Sequence, residues 1–127
     1  MSVTVSFTPH EHLATLVFEG STTFDEWRVA MDAALQHEHF LVGMCIISDR
    51  RASQDVPTPI YVRALVGYLK AHADAFAGCG VALVTDGLAD YGMSRMAEIL
   101  SDETVVKVRA FSDIHAARAW LGEFPPG

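Results

Sequence analysis

Positive charge is what this chain has least of. Nine Lys and Arg stand against sixteen Asp and Glu, giving a net charge of −7. Binding a polyanion needs a clustered basic surface, so no nucleic-acid partner is expected, nor electrostatic docking on an anionic membrane. Cysteine is rarer still. Cys45 and Cys79 sit in or beside apolar strand candidates, which reads as two small core hydrophobes in a reducing compartment rather than a structural disulfide. No apolar stretch is long enough to span a bilayer. The N-terminus opens directly into alternating strand residues, without the basic and apolar regions of a secretion signal, so a cytoplasmic location is expected. Absent too are a Gly-rich phosphate loop, a Gly-x-Ser-x-Gly nucleophile elbow, an internal repeat and a linker. What is left is a chain of 127 residues, half of them apolar and a fifth charged, the size and balance of one globular domain.

What is present is a regular alternation of short apolar runs with amphipathic helices. Val3, Val5 and Phe7 alternate with Ser and Thr as a strand with one buried face. Pro9 to His12 reads as a turn, and Leu13 to Phe18 as the return arm of a hairpin ended by Gly20. A helix follows from about Thr23, with Thr22 or Thr23 as N-cap, Asp25 and Glu26 in its first turn, and an apolar stripe of Phe24, Trp27, Met31, Ala34 and Leu35. Gly43 to Ser48 is a continuous apolar run, as expected for a strand covered on both faces, and Asp49 to Pro59 reads as the longest irregular segment.

Thr58 and Pro59 open the second helix as N-cap and first helical residue, with Val62, Leu65, Val66, Leu69, Ala73 and Phe76 on its core face. Gly78 and Gly80 lead into a strand from Val81 to Thr85. A third helix from Leu88 to Leu100 carries Met93, Met96, Ala97 and Leu100, and a strand from Val105 to Ala110 follows. The last helix has Ser112 placed as N-cap, Asp113 near the positive end of the dipole, and Ile114, Ala117 and Leu121 at helical spacing. The order β-β-α-β-α-β-α-β-α predicts an α/β fold, a single small domain over residues 1–122 with a mixed, mostly parallel five-stranded sheet and four helices, then a short tail at 123–127.

In open parallel sheets, ligands gather beyond the carboxyl ends of the strands. Asp49, Arg50, Arg51 and Ser53 follow the third strand, with the second helix beginning at Thr58; Thr85, Asp86, Tyr91 and Arg95 follow the fourth. Three arginines near helix N-termini would suit a carboxylate or phosphate. The plainer reading pairs Arg50 with Asp49 or Asp55, and Arg95 with Glu98 or Asp86, as surface ion pairs. His10-Glu11-His12 and His37-Glu38-His39 have chelating spacing, but no third ligand is suggested nearby, so neither a metal nor another cofactor is expected. Cys45 and Cys79 have no activating context, and Asp25 with Glu26 are helix-start residues, so no enzyme activity is expected. A homodimer stays open through spare apolar helix faces.

The Tyr91-Gly92-Met93-Ser94-Arg95-Met96 helix and the closing Phe111…Ala119-Trp120-Leu121, in this order of elements, resemble the SpoIIAA-like proteins of the STAS fold, named for sulfate transporters and anti-sigma factor antagonists. The resemblance spans nearly the whole chain. It implies a bacterial cytoplasmic, non-enzymatic binding or regulatory module that acts through protein–protein contact. It also implies modulation by a small anion or by phosphorylation of a serine in an Asp-Ser-Ser-Gly type of motif after the third strand. The corresponding segment here is Ser48-Asp49-Arg50-Arg51-Ala52-Ser53-Gln54-Asp55, without the Ser-Gly pair, leaving Ser53 and Thr58 as the nearest hydroxyls. The alternative is a carrier of a small anionic or amphipathic, lipid-like ligand, with an apolar pocket near Met93 and Met96 and arginines at its mouth.

Overall fold

Strand order decides where each helix of this protein goes. The computed structural model describes residues 2–53, 56–76, 80–102, 104 and 106–124. Strands β1 (Ser2–Thr8), β2 (Leu13–Gly20), β3 (Cys45–Ser53), β4 (Gly80–Val84) and β5 (Lys107–Phe111) lie side by side in chain order. β1 and β2 are antiparallel; β2 to β5 are parallel. Parallel strands that advance one place at a time, joined by crossovers of the usual right hand, put every connecting helix on the same face. Helices α1 (Phe24–Gln36), α2 (Pro59–Ala71) and α3 (Leu88–Ser101) accordingly pack together on Leu16, Phe18, Ile46, Val81, Leu83 and Val108. Helix α4 (Ile114–Leu121) has no strand to return to. It folds onto the opposite face, where Ala117 and Leu121 meet Leu13, Ile47, Ala82 and Val84.

The helix starts are set by short-range chemistry. Thr23 and Glu26 close a capping box at α1, the Thr23 amide donating to the Glu26 carboxylate at 2.9 Å and the Glu26 amide to Thr23 Oγ1 at 3.2 Å. Thr58 caps α2 by accepting from the Tyr61 amide at 3.1 Å, ahead of Pro59. At α4 the cap is Asp113, one residue later than Ser112, because β5 runs on through Phe111. Its carboxylate accepts from the His115 amide at 2.9 Å, which satisfies the cap and the dipole together. α2 ends at Ala71 with His72 as its cap, and Ala73 to Phe76 form a separate 3-10 turn rather than its last turn. Between α1 and α2, the Tyr68 hydroxyl donates to Asp32 at 2.6 Å; burial and that carboxylate push the phenol well above its ordinary pKa.

Two further elements and one thiol also differ from the pattern read in the sequence. β3 continues past Ser48 through Ser53, since the end of β2 reaches far enough to pair Glu19 with Ala52 and Gly20 with Ser53 across a register shift. Asp49, Arg50, Arg51 and Ser53 are strand residues, not loop residues. α3 buries Asp90, Ser94, Ala97 and Ser101, while Met93 and Met96 only edge the core and Leu100 is exposed. Small side chains on that stripe let the helix lie close to β5. Cys45 is disulfide-bonded rather than a reduced thiol; Cys79, like Gln54, Asp55, Gly78 and Val105, lies outside the described residues. Among the described residues, no helix is long and apolar enough to cross a membrane.

The segment after α4 is packed at least to Phe124, whose ring meets Trp120 edge-on at 5.1 Å, and both rings crowd Gly80. A Cβ at Gly80 would lie 2.6 Å from Trp120 Cη2 and 3.2 Å from Phe124 Cε2. Gly80→Ala therefore destabilises by about 1–3 kcal/mol through overpacking. Gly67→Ala, on α2 with nothing within 4 Å of the new methyl, stabilises by about 0.5–1 kcal/mol. Urea unfolding of the two variants checks this opposition in sign.

Candidate functional site

Because β3 runs through its charged segment, alternation sorts the charges onto opposite faces of the sheet. Ile46, Ser48 and Arg50 face α1, α2 and α3; Ile47, Asp49 and Arg51 face the α4 side. Arg50 and Arg51 cannot converge on one anion, as a loop would have allowed.

Each guanidinium instead meets its own carboxylate. Arg50 is 6% exposed, and its Nε lies 3.4 Å from Oδ1 of Asp90, itself 5% exposed, on α3. Its Nη2 donates to Ser53 Oγ at 3.1 Å, and that hydroxyl donates to the Gly20 carbonyl at 3.1 Å. The guanidinium carbon sits 5.9 Å from the Phe18 ring centroid and 5.8 Å from that of Tyr61, between two aromatic faces. Arg51 grips Asp49 with two hydrogen bonds of 2.9 and 2.8 Å and adds its backbone amide at 3.1 Å. Burial alone would raise the Asp49 pKa, but the Arg51 hydrogen bonds and charge outweigh it and hold the carboxyl below its usual range. Arg95 pairs with Glu98, whose other oxygen accepts from the Ala110 amide at 2.8 Å and closes part of the free β5 edge.

The remaining residues singled out in the sequence scatter. Thr58 is an exposed cap; Ser53 is half-buried and bonded at both lone pair and proton; Asp86 is exposed. Thr85 is fully buried, its amide donating to the Phe111 carbonyl at 3.0 Å, and its hydroxyl has no partner among the described residues. Tyr91 and Arg95 line a shallow groove with Arg109 and Asp113 at the opposite edge of the sheet from the hairpin. His37 and His39 stack on each other at 5.1 Å, and His37 on Phe7 at 4.6 Å, but among the described residues no three His, Cys, Asp or Glu are grouped to hold a metal.

A crevice does exist, in the helical layer. A monotonic strand order has no reversal point to open one at the sheet itself. It lies over β3 and β4, where Trp27 of α1, Ser48 and Arg50 of β3, Tyr61 of α2, and Met93 and Ser94 of α3 approach one another. It is narrow, with a free volume of about 20 Å3, room for little more than one water molecule. Trp27 is 3% exposed, and its Nε1 is buried with no acceptor among the described residues. Sequence reasoning placed Trp27 in an apolar stripe and Ser48 and Ser94 within a strand and a helix. Only Arg50 of the proposed site residues lines this crevice. Nothing in the local pattern marks the others, since they meet only through tertiary packing.

No family model matches the chain, and no curated protein matches its sequence. Among solved structures it is similar to an uncharacterized protein of the DUF3478 family with a SpoIIAA-like fold from Shewanella loihica PV-4. The identity is 15% and the TM-score 0.62, over 94% of this chain and 92% of that one. The fold is SpoIIAA-like, as the resemblance implied.

Two variants test the charge arrangement. Asp90→Ala strands a buried guanidinium and costs about 3–5 kcal/mol, whereas Asp49→Ala leaves behind only the half-exposed Arg51, which can turn to water, and costs about 1 kcal/mol or less. Denaturant titration separates them. Because the folded pKa of Asp49 is depressed, its pair contributes stability above the ordinary carboxylate pKa of about 4 and loses it as pH falls through the folded value. The stability gap between the parent protein and Asp49→Asn is thus constant near neutrality and closes in acid, which equilibrium unfolding at a series of pH values reads directly.

Proposed function

We propose that this protein is a non-catalytic binding module that contacts a partner protein at the carboxyl end of its parallel strands. The observation that carries the reading is an apolar surface there: Leu88 is 92% exposed, Ile60 78% and Val56 49%. All three follow the ends of β3 and β4, so one face of a partner can reach them together with the mouth of the crevice. Large apolar side chains left this bare after the ends of neighbouring strands suit a contact site. The fold supports the reading through its resemblance to modules that work by protein contact, which is an analogy of fold and not a property of these residues. The crevice lining is mostly apolar, with a few polar groups at Ser48, Arg50, Tyr61 and Ser94, which supports binding. Regulation would fall on Thr58 rather than Ser53. Thr58 is exposed at the first turn of α2 beside Ile60, where a phosphate gains from the helix dipole and adds charge to the contact surface.

The carrier reading rests on the same crevice, whose lining includes Met93 and Arg50 but not Met96. Its narrowness opposes it, since α2 and α3 would have to part before a lipid-like chain could enter. A photo-crosslinking residue at position 88 in host cells should give one discrete adduct with a different protein. The same residue at Val29, an exposed apolar position on α1, should not, and Ile60→Lys should abolish the adduct. Equal adducts from both positions, or none from 88, would reject the surface, and a doubled mass would assign it to self-association.

A further inference from the structure

The sheet has two outermost strands among the described residues, and they are protected unequally. β5 is five residues long, carries Lys107 and Arg109, and has its Ala110 amide taken by Glu98 at 2.8 Å. Shortness, charge and a carboxylate on a free amide are means by which an edge strand avoids pairing with another chain. β1 has none of them. It is seven residues of Ser, Val, Thr and Phe, without charge or proline, in unbroken register with β2. Two copies of a chain of net charge −7 repel each other on most approaches, and β1 is an uncharged stretch where they can meet.

The free hydrogen-bonding groups of β1 follow from its neighbours. The Cys45 amide donates to the His12 carbonyl at 2.9 Å, so the Leu13 amide, on the other side of that peptide unit, turns to β1. Alternation then engages Thr8, Ser6 and Thr4 with β2, and leaves the N–H and C=O of Val3, Val5 and Phe7 at the open edge. A two-fold axis at Val5 pairs this edge with itself. Val3 then lies opposite Phe7 of the second copy, and Thr4 opposite its Ser6, so apolar meets apolar on one face and hydroxyl meets hydroxyl on the other. Val3 and Val5 are only half-buried and have apolar surface left to cover. The helical layer leaves room. Met31 and Ala34 of α1 turn to the sheet and Asp32 to Tyr68 of α2, which puts the small Ala30 and Ala33 on the side of the hairpin edge.

We infer that this protein forms a two-fold dimer through antiparallel pairing of β1 with β1 of a second copy, centred on Val5. The contact is a sheet edge and not the spare helix faces that the sequence suggests. It does not depend on the partner surface around Leu88.

The test is sedimentation velocity of the intact chain from about 1 to 300 μM, with amide hydrogen exchange read by NMR at both ends of that range. The expected result is a dimer whose Val5 amide is protected at high concentration and exchanges freely on dilution, while the Thr4 amide stays protected throughout. Two double variants at exposed positions then test the register. Thr4→Lys with Ser6→Lys sets like charges opposite each other across the axis and should raise the dimer Kd at least about tenfold. Thr4→Lys with Ser6→Glu sets opposite charges there and should leave the Kd within about threefold of the parent. A monomer at every concentration would overturn the dimer. A dimer whose Val5 amide exchanges freely, or one that both double variants affect equally, would overturn the pairing of β1.

Discussion

A buried ion pair organises one end of this molecule. Arg50 enters from a central strand, Asp90 from the helix that follows the next strand, and they meet where neither reaches bulk water. Pairs of this kind add little net stability compared with an apolar packing of the same volume, but losing one partner is severe. The pair therefore acts as a constraint on α3. With Asp90 fixed, Ser94, Ala97 and Ser101 fall in register against the sheet, and the short side chains at Ser48, Ser94 and Ala97 leave unfilled the space that longer ones would occupy. The crevice follows from that stripe, and Trp27 of α1 completes its lining.

Much of the architecture is legible in the sequence because it depends on neighbours a few residues apart. Thr23 with Glu26, and Thr58 with Pro59, announce their helices through contacts within one turn. The apolar runs at β3 and β4 mark doubly covered strands. What escapes is decided by distant chain. Asp49, Arg50 and Arg51 look like a charged loop, and become strand only because Glu19 and Gly20 extend β2 alongside them. Asp90 resembles an ordinary acidic residue of a helix start until Arg50 is placed opposite. Trp27 fits an apolar stripe, and no spacing rule reveals that its N–H lacks an acceptor.

This error changes chemistry as well as geometry. Arginines converging from a loop after β3 and from the start of α3 would make an anion trap. Arg50 and Arg51 on opposite faces of β3, and Arg95 on α3, each beside a carboxylate, make structural pairs and leave a crevice of balanced charge. The fold by itself discriminates nothing here, since similarity at 15% identity to a protein of uncharacterised role carries architecture alone. Function has to be argued from the exposed apolar surface and from the crevice, which are separate features at the same end of the sheet.

The central claim is that Arg50 and Asp90 hold α3 to β3 as a coupled unit. A double-mutant cycle with Arg50→Met and Asp90→Leu measures this most directly. The account predicts single variants that are each strongly destabilised, a double variant much less so than their sum, and a coupling energy of about 2 kcal/mol or more. Additive losses, with coupling near zero, would contradict it and would leave α3 held by its apolar contacts alone.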